Sequence, residues 1–235
     1  MAQAPIQFDR ASGALEGVNA WERLAAMALT LGSKVGAHFS HRGYNMCANL
    51  LRTTLPKRGI QVKLNPDALF EFPYGDGYWS KLLNRTYHYE DELELLFKDS
   101  TDVDYTLLDC GANYGYWSVL VSSKPFGSRR AIAIEPSAQN FPKLANNAGI
   151  NGGRFETMKC AIGAARGTAR LSGVKHEAFS IAGEQTGGEE VPVIALDNLL
   201  DGGKVSAGGK YLIKLDVEGV EIEAMKGGTR LMQGD

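Results

Sequence analysis

The stretch TLLDCGANYGYWS (106–118) constrains this chain more than any other. An apolar run ends in an acid, Asp109. Two glycines follow, Gly111 and Gly115, and then a segment of helical character. Continuous apolar residues closed by glycine predict a strand buried on both faces, and such strands belong to parallel sheets covered by helices. Glycine at the strand end lets the backbone turn tightly and approach a ligand. The next apolar run, RAIAIE (130–135), ends in Glu135, 20 residues beyond Gly115. A carboxylate at that distance is placed to bond ribose hydroxyls.

Strand-like and helix-like segments keep alternating from residue 101 to 235. A helix is expected around Phe141, Leu144, Ala145 and Ala148, starting late because of Pro142 and capped by Asn140. FETMKCAI predicts a third strand, GTARLSG and EVPVIAL an added hairpin, YLIKLDV (211–217) a further buried strand, and VEIEAMKGG a helix. The fold class is therefore α/β, a Rossmann-like, doubly wound and mostly parallel sheet with helices on both faces.

Residues 1–100 read as a helix-rich extension. Trp21, Leu24, Ala25, Ala28, Leu31 and Val35 fall near a period of 3.6, so Trp21–Lys34 is expected as a helix burying that face. A second helix spans about Tyr44–Leu55 and ends at Pro56. IQVKL (60–64) and ALFEF (68–72) pair as a hairpin across Asn65-Pro66-Asp67. YEDELELLF (89–97) is a helix with acids at its start.

Composition narrows the function classes. Lys plus Arg number 25 and Asp plus Glu 27, a balance that argues against a general nucleic-acid binder. Three cysteines without paired spacing predict reduced thiols, and no spacing calls for a metal. MAQAPIQFDR lacks a signal peptide's basic start and apolar run, and Leu24–Gly32 is short of the ~20 residues that cross a bilayer. A cytoplasmic location follows as an expectation.

The glycine loop and Glu135 suit any nucleoside-containing cofactor, and Asp109 discriminates among them. A carboxylate just before the loop would repel a pyrophosphate at the helix N-terminus. S-adenosylmethionine carries a sulfonium and an ammonium group and no phosphate. The spacing is also Gly-x-x-x-Gly, not Gly-x-Gly-x-x-Gly, which opposes a nicotinamide oxidoreductase.

LLDCGANYGYWS, AIEPSAQNFPKLANNAGIN, VPVIALDNLL and YLIKLDVEGVEIEAMKGG, in that order, resemble the FkbM-type methyltransferases, a branch of the class I S-adenosylmethionine-dependent enzymes. The resemblance covers about 130 residues from Tyr105 onward. It implies O-methylation of a hydroxyl on a sugar, glycan or polyketide-like small molecule; composition and segment length have already argued against nucleic acid and a transmembrane segment, and a second copy of the chain as partner is left open. It implies further that Asp109, Gly111, Ala112, Asn113, Gly115 and Tyr116 surround the methionine end of the cofactor, Glu135 and Pro136 the ribose, and Cys160 and Ala161 the adenine. Asp216 and Glu218 would lie beside the methyl group as candidate bases, with Lys214 steering one of them. His176 and His88 are further candidate bases. The rival readings are a nicotinamide oxidoreductase and a catalytically silent cofactor-binding module. The full fold continues with further strands, so YLIKLDV is expected to be an uncovered sheet edge and the sequence a portion of a longer protein.

Overall fold

The computed structural model describes residues 3–37, 41, 43–175, 178–182, 188–217 and 219–234; for 172–175 and 178–182 it describes the backbone alone. The chain divides into two compact units, Met1–Asp99 and Ser100–Asp235.

The first unit holds a four-stranded sheet as well as helices. Its strands are β1 (Ile6–Asp9), β2 (Leu15–Glu16), β3 (Gly59–Asn65) and β4 (Ala68–Pro73), in the order β2-β1-β3-β4. The β3–β4 hairpin forms as the alternating pattern predicts, with Ala68, Phe70 and Phe72 buried. β1 and β2 are too short to carry a period, which is why the sheet is not visible in the sequence. The helices are α1 (Ala20–Ala37), α2 (Tyr44–Arg52) and α3 (Asp91–Asp99). The aromatic residues before α3 pack on one another: Trp79 meets Phe70 at 4.7 Å and Tyr89 at 5.1 Å between ring centroids.

The face of α1 requires a correction. Its buried residues are Glu22, Ala25, Ala26, Leu29 and Ser33, whereas Trp21, Leu24, Leu31 and Val35 are 47–63% exposed. The cause lies at the first turn. Asn19 Oδ1 accepts the Glu22 N–H at 2.9 Å and Glu22 Oε2 accepts the Asn19 N–H at 2.8 Å, a reciprocal cap. Glu22 also pairs with buried Arg58 at 3.5 Å. That ion pair and the small residues below it occupy the inner face, so the larger apolar residues point outward.

The second unit contains β5 (Thr106–Cys110), α4 (Tyr116–Val121), β6 (Arg130–Ile134), α5 (Phe141–Ile150), β7 (Glu156–Met158), β8 (Ala161–Ile162), β9 (Gly167–Lys175), β10 (Ala178–Ala182), β11 (Glu189–Ile194), α6 (Asp197–Asp201), β12 (Tyr211–Leu215), α7 (Glu221–Lys226) and α8 (Thr229–Gln233). The order β12-β5-β6-β7 is parallel throughout. Leu108, Cys110, Ile132 and Ile134 pack against Leu199, Ala224 and Leu231 of α6, α7 and α8. On the other face, Asp109 accepts a hydrogen bond from Ser118 of α4. Helices therefore cover both faces, as continuous apolar strands demand. β12 is the sheet edge, and its five residues are half-buried.

Two breaks and one cap differ from the sequence reading. FETMKCAI breaks at Lys159–Cys160, so that β7 joins the parallel sheet while β8 joins a second sheet, β10-β9-β11-β8. The helix expected over VEIEAMKGG and beyond divides at Gly227–Gly228 into α7 and α8. Asn140 precedes α5 without capping it through its side chain. Ser137 Oγ accepts the Gln139 and Asn140 N–H groups instead, at 3.1 and 3.3 Å.

Candidate functional site

The carboxyl ends of β5, β6 and β12 meet at one cleft. From β5 the chain proceeds to β6 on one side and later returns to β12 on the other, so the strand order reverses here, where open α/β sheets take their ligands. Gly111, Asn113, Glu135, Pro136, Cys160, Ala161 and Asp216 line the cleft. These seven sequence candidates come from four separate segments.

Backbone geometry dictates the loop. Gly111 has φ +78°, and a Cβ there would overlap the carbonyl oxygen of Asp216. The Gly111 and Ala112 N–H groups both donate to the Ile134 carbonyl, at 2.9 and 3.0 Å, and the Asp216 N–H donates to that of Cys110 at 3.0 Å. The loop is thereby tied to the strands on either side of it. Gly115 has φ +84°, and its Cβ would stand 2.5 Å from Leu144 Cδ1, so glycine here admits α5. Asn113 adopts φ +53°, a conformation that a short polar side chain tolerates.

Glu135 is 5% exposed. Its Oε2 accepts the Asn113 N–H at 2.9 Å and its Oε1 the Ser137 N–H at 3.0 Å. Burial pushes its pKa up to about 7 against the lowering effect of those bonds. Each carboxylate oxygen accepts more than one hydrogen bond, so capacity remains on the cleft side.

Asp109 stands behind the loop and does not line the cleft. It is 2% exposed; Oδ2 accepts from Ser118 Oγ at 2.7 Å, and Oδ1 has no hydrogen-bond partner among the described residues. Burial raises its pKa and the nearby Lys214 opposes the rise. Lys214 pairs with Asp109 in the strand register, and its Nζ lies 3.8 Å from Asp109 Oδ1 and 3.3 Å from Asp216 Oδ2. The Asp216 carboxylate is more than half exposed on the cleft wall.

Ala112 and Tyr116 are buried away from the cleft, and Tyr116 packs edge-on against Trp117. Glu218 and His176 lie outside the described residues. His88 belongs to the first unit, exposed, with Nδ1 3.4 Å from Glu94 Oε2. Cys47, Cys110 and Cys160 are free thiols, and burial pushes Cys160 up to about 11. Sequence reasoning missed Asn140, Ile162, Leu171, Val217 and Val220, which also line the cleft. Asn140 and Val217 lie within five residues of a strand-end acid, and that proximity was the available signal. Leu171 arrives from β9 with no local mark.

Among the described residues, those lining the cleft include two carboxylates and no Lys or Arg. Such a wall accepts hydrogen bonds and attracts cations, and it repels phosphates.

Residues 109–234 match the model of the methyltransferase FkbM domain. The hexuronic acid methyltransferase AglP of Haloferax volcanii is 27% identical over 150 residues, 61% of this chain and 58% of that protein. The chain thus spans under two thirds of this relative's length. The crystal structure of a methyltransferase FkbM from Methylobacillus flagellatus KT, 22% identical, aligns over 55% of this chain and 30% of that one with a TM-score of 0.38. No helix among the described residues is long and apolar enough to cross a membrane.

Proposed function

The chain belongs to the FkbM methyltransferase family, and we propose that it transfers a methyl group from S-adenosylmethionine to a hydroxyl of a sugar or glycan. One observation carries the cofactor: buried Glu135 and exposed Asp216 flank Gly111 on a cleft wall with no basic side chain among its described residues. The pyrophosphate of a nicotinamide dinucleotide would meet two carboxylates there. The sugar acceptor rests on the named activity of the Haloferax relative.

Bound S-adenosylmethionine would supply an already activated methyl group, leaving the protein to hold, align and exclude water. Gly111 lets the backbone approach the cofactor where any side chain would collide. Glu135 receives the ribose hydroxyls on its free lone pairs. Pro136, Cys160 and Ala161 offer surface to the base. Asp216 accepts the acceptor's proton, and Lys214, 3.3 Å away, holds that carboxylate in place.

The test is to incubate the protein with S-adenosylmethionine and a panel of oligosaccharides with and without hexuronic acid. Release of S-adenosylhomocysteine together with a gain of one methyl on an oligosaccharide supports the proposal. Reduction of a nicotinamide cofactor by the same acceptors, without methyl transfer, contradicts it.

A further inference from the structure

The outer face of α1 has no role in the cleft chemistry. Trp21, Leu24, Met27, Leu31 and Val35 are 47–64% exposed along it. They recur at intervals of three and four, so they form one continuous apolar stripe. Leu24, Met27 and Leu31 also line a groove of about 690 Å³, shared with Phe8, Leu15 and Leu83. Contiguous exposed apolar surface of this kind marks an interaction site.

The two charged side chains that line the groove, Arg23 and Lys34, are both positive. Between Glu16 and Asp67 the sole acid is Glu22, which is fully buried. Arg23, Lys34, Arg52 and Lys57 of the same segment are exposed, and Arg23 and Lys34 border the groove itself. Two copies meeting on this face under two-fold symmetry would bring positive charges together. An anionic surface would instead complement them.

We propose that α1 is a membrane-surface helix, which lays its apolar stripe into the interface of an anionic bilayer while Arg23 and Lys34 meet the lipid phosphates. At 18 residues α1 is about 27 Å long and carries charge at both ends, so it lies on a bilayer and does not span one. Trp21 is the aromatic residue suited to the polar–apolar boundary. The reading is independent of the cofactor and the acceptor.

Vesicles of phosphatidylcholine alone and of phosphatidylcholine with phosphatidylglycerol are titrated into the full chain, with tryptophan emission and co-sedimentation as readouts. Trp79 and Trp117 are 4% and 2% exposed, so an emission shift reports Trp21. The expected result is binding to the anionic vesicles, accompanied by a blue shift that Trp21→Phe removes. Leu24→Glu with Leu31→Glu should weaken binding at least ~tenfold while the circular dichroism stays unchanged, because both residues are exposed. Lys34→Gln should weaken it about fivefold. Equal binding to neutral vesicles, no binding to either, or a concentration-dependent dimer abolished by the double substitution would each overturn the proposal.

Discussion

The cleft of the second unit and the outer face of α1 in the first both leave a mark in the sequence, yet they differ in what fixes them. At the cleft the backbone decides. Gly111 and Gly115 sit at positive φ where a Cβ collides with Asp216 or Leu144, so the residue type and the position are coupled. On α1 hydrophobicity alone was informative, and it gave the period without the direction. Residues 22, 26, 29 and 33 follow the helical period as well as 21, 24, 28 and 31 do. The buried Glu22–Arg58 pair selects between them. Steric exclusion therefore locates a site more surely than an apolar stripe locates a core.

The largest effect that would sharpen this contrast is at the ion pair. Glu22→Ala leaves Arg58 buried without its partner and removes half of the helix cap; breaking a buried pair costs ~3–5 kcal/mol. Urea unfolding should register that loss, and a loss below ~1 kcal/mol would mean that the inner face is held by packing alone.

Next comes the chemistry of the cleft. Asp216→Asn keeps the shape and removes the charge, and turnover with the true acceptor should fall ~10²-fold with little change in cofactor affinity. Full turnover would transfer the role of base to another group, with Glu218 the first to examine.

Glu135 gives a smaller, pH-dependent effect. Burial lifts its folded pKa from 4.5 to about 7, so the stability it contributes is present at low pH and lost as pH rises through that window. Ligand hydroxyls require the ionised form, so the sign reverses for binding. Affinity for S-adenosylhomocysteine should fall as pH drops below about 7, by at most ~tenfold per unit. In Glu135→Gln the affinity should be lower at pH 8 and independent of this titration. A parallel pH dependence in that variant would assign the titration elsewhere.

The helix face carries both a large and the smallest expected effect. Leu29→Ala removes a buried side chain and should cost ~2–5 kcal/mol, whereas Leu31→Ala at an exposed position should stay within ~0.5 kcal/mol. Comparable losses would restore the face expected from periodicity.

The parallel sheet was legible because β5 and β6 are continuous apolar runs that end at an acid, Asp109 and Glu135. Glu135 and Asp216 were legible as strand-end acids, whereas Cys160 and Ala161 came only from the family resemblance. Asp109 was legible as a strand end, but its burial behind the loop was not, since the side of the sheet it faces depends on where α4 packs. β1 and β2 were invisible because four and two residues carry no period. Leu171 was invisible because its place in the cleft arises from a strand of another sheet.

A cleft for S-adenosylmethionine formed by the glycine loop and Glu135 must tell that cofactor from a dinucleotide. Calorimetric titration of S-adenosylmethionine and of NAD into the wild-type chain and into Gly111→Ala tests it most directly. Wild-type protein should bind S-adenosylmethionine and not NAD. Gly111→Ala, whose new methyl would overlap the Asp216 carbonyl, should lose at least ~tenfold in affinity, or ~1.4 kcal/mol. Binding of NAD, or undiminished S-adenosylmethionine affinity in Gly111→Ala, would contradict it.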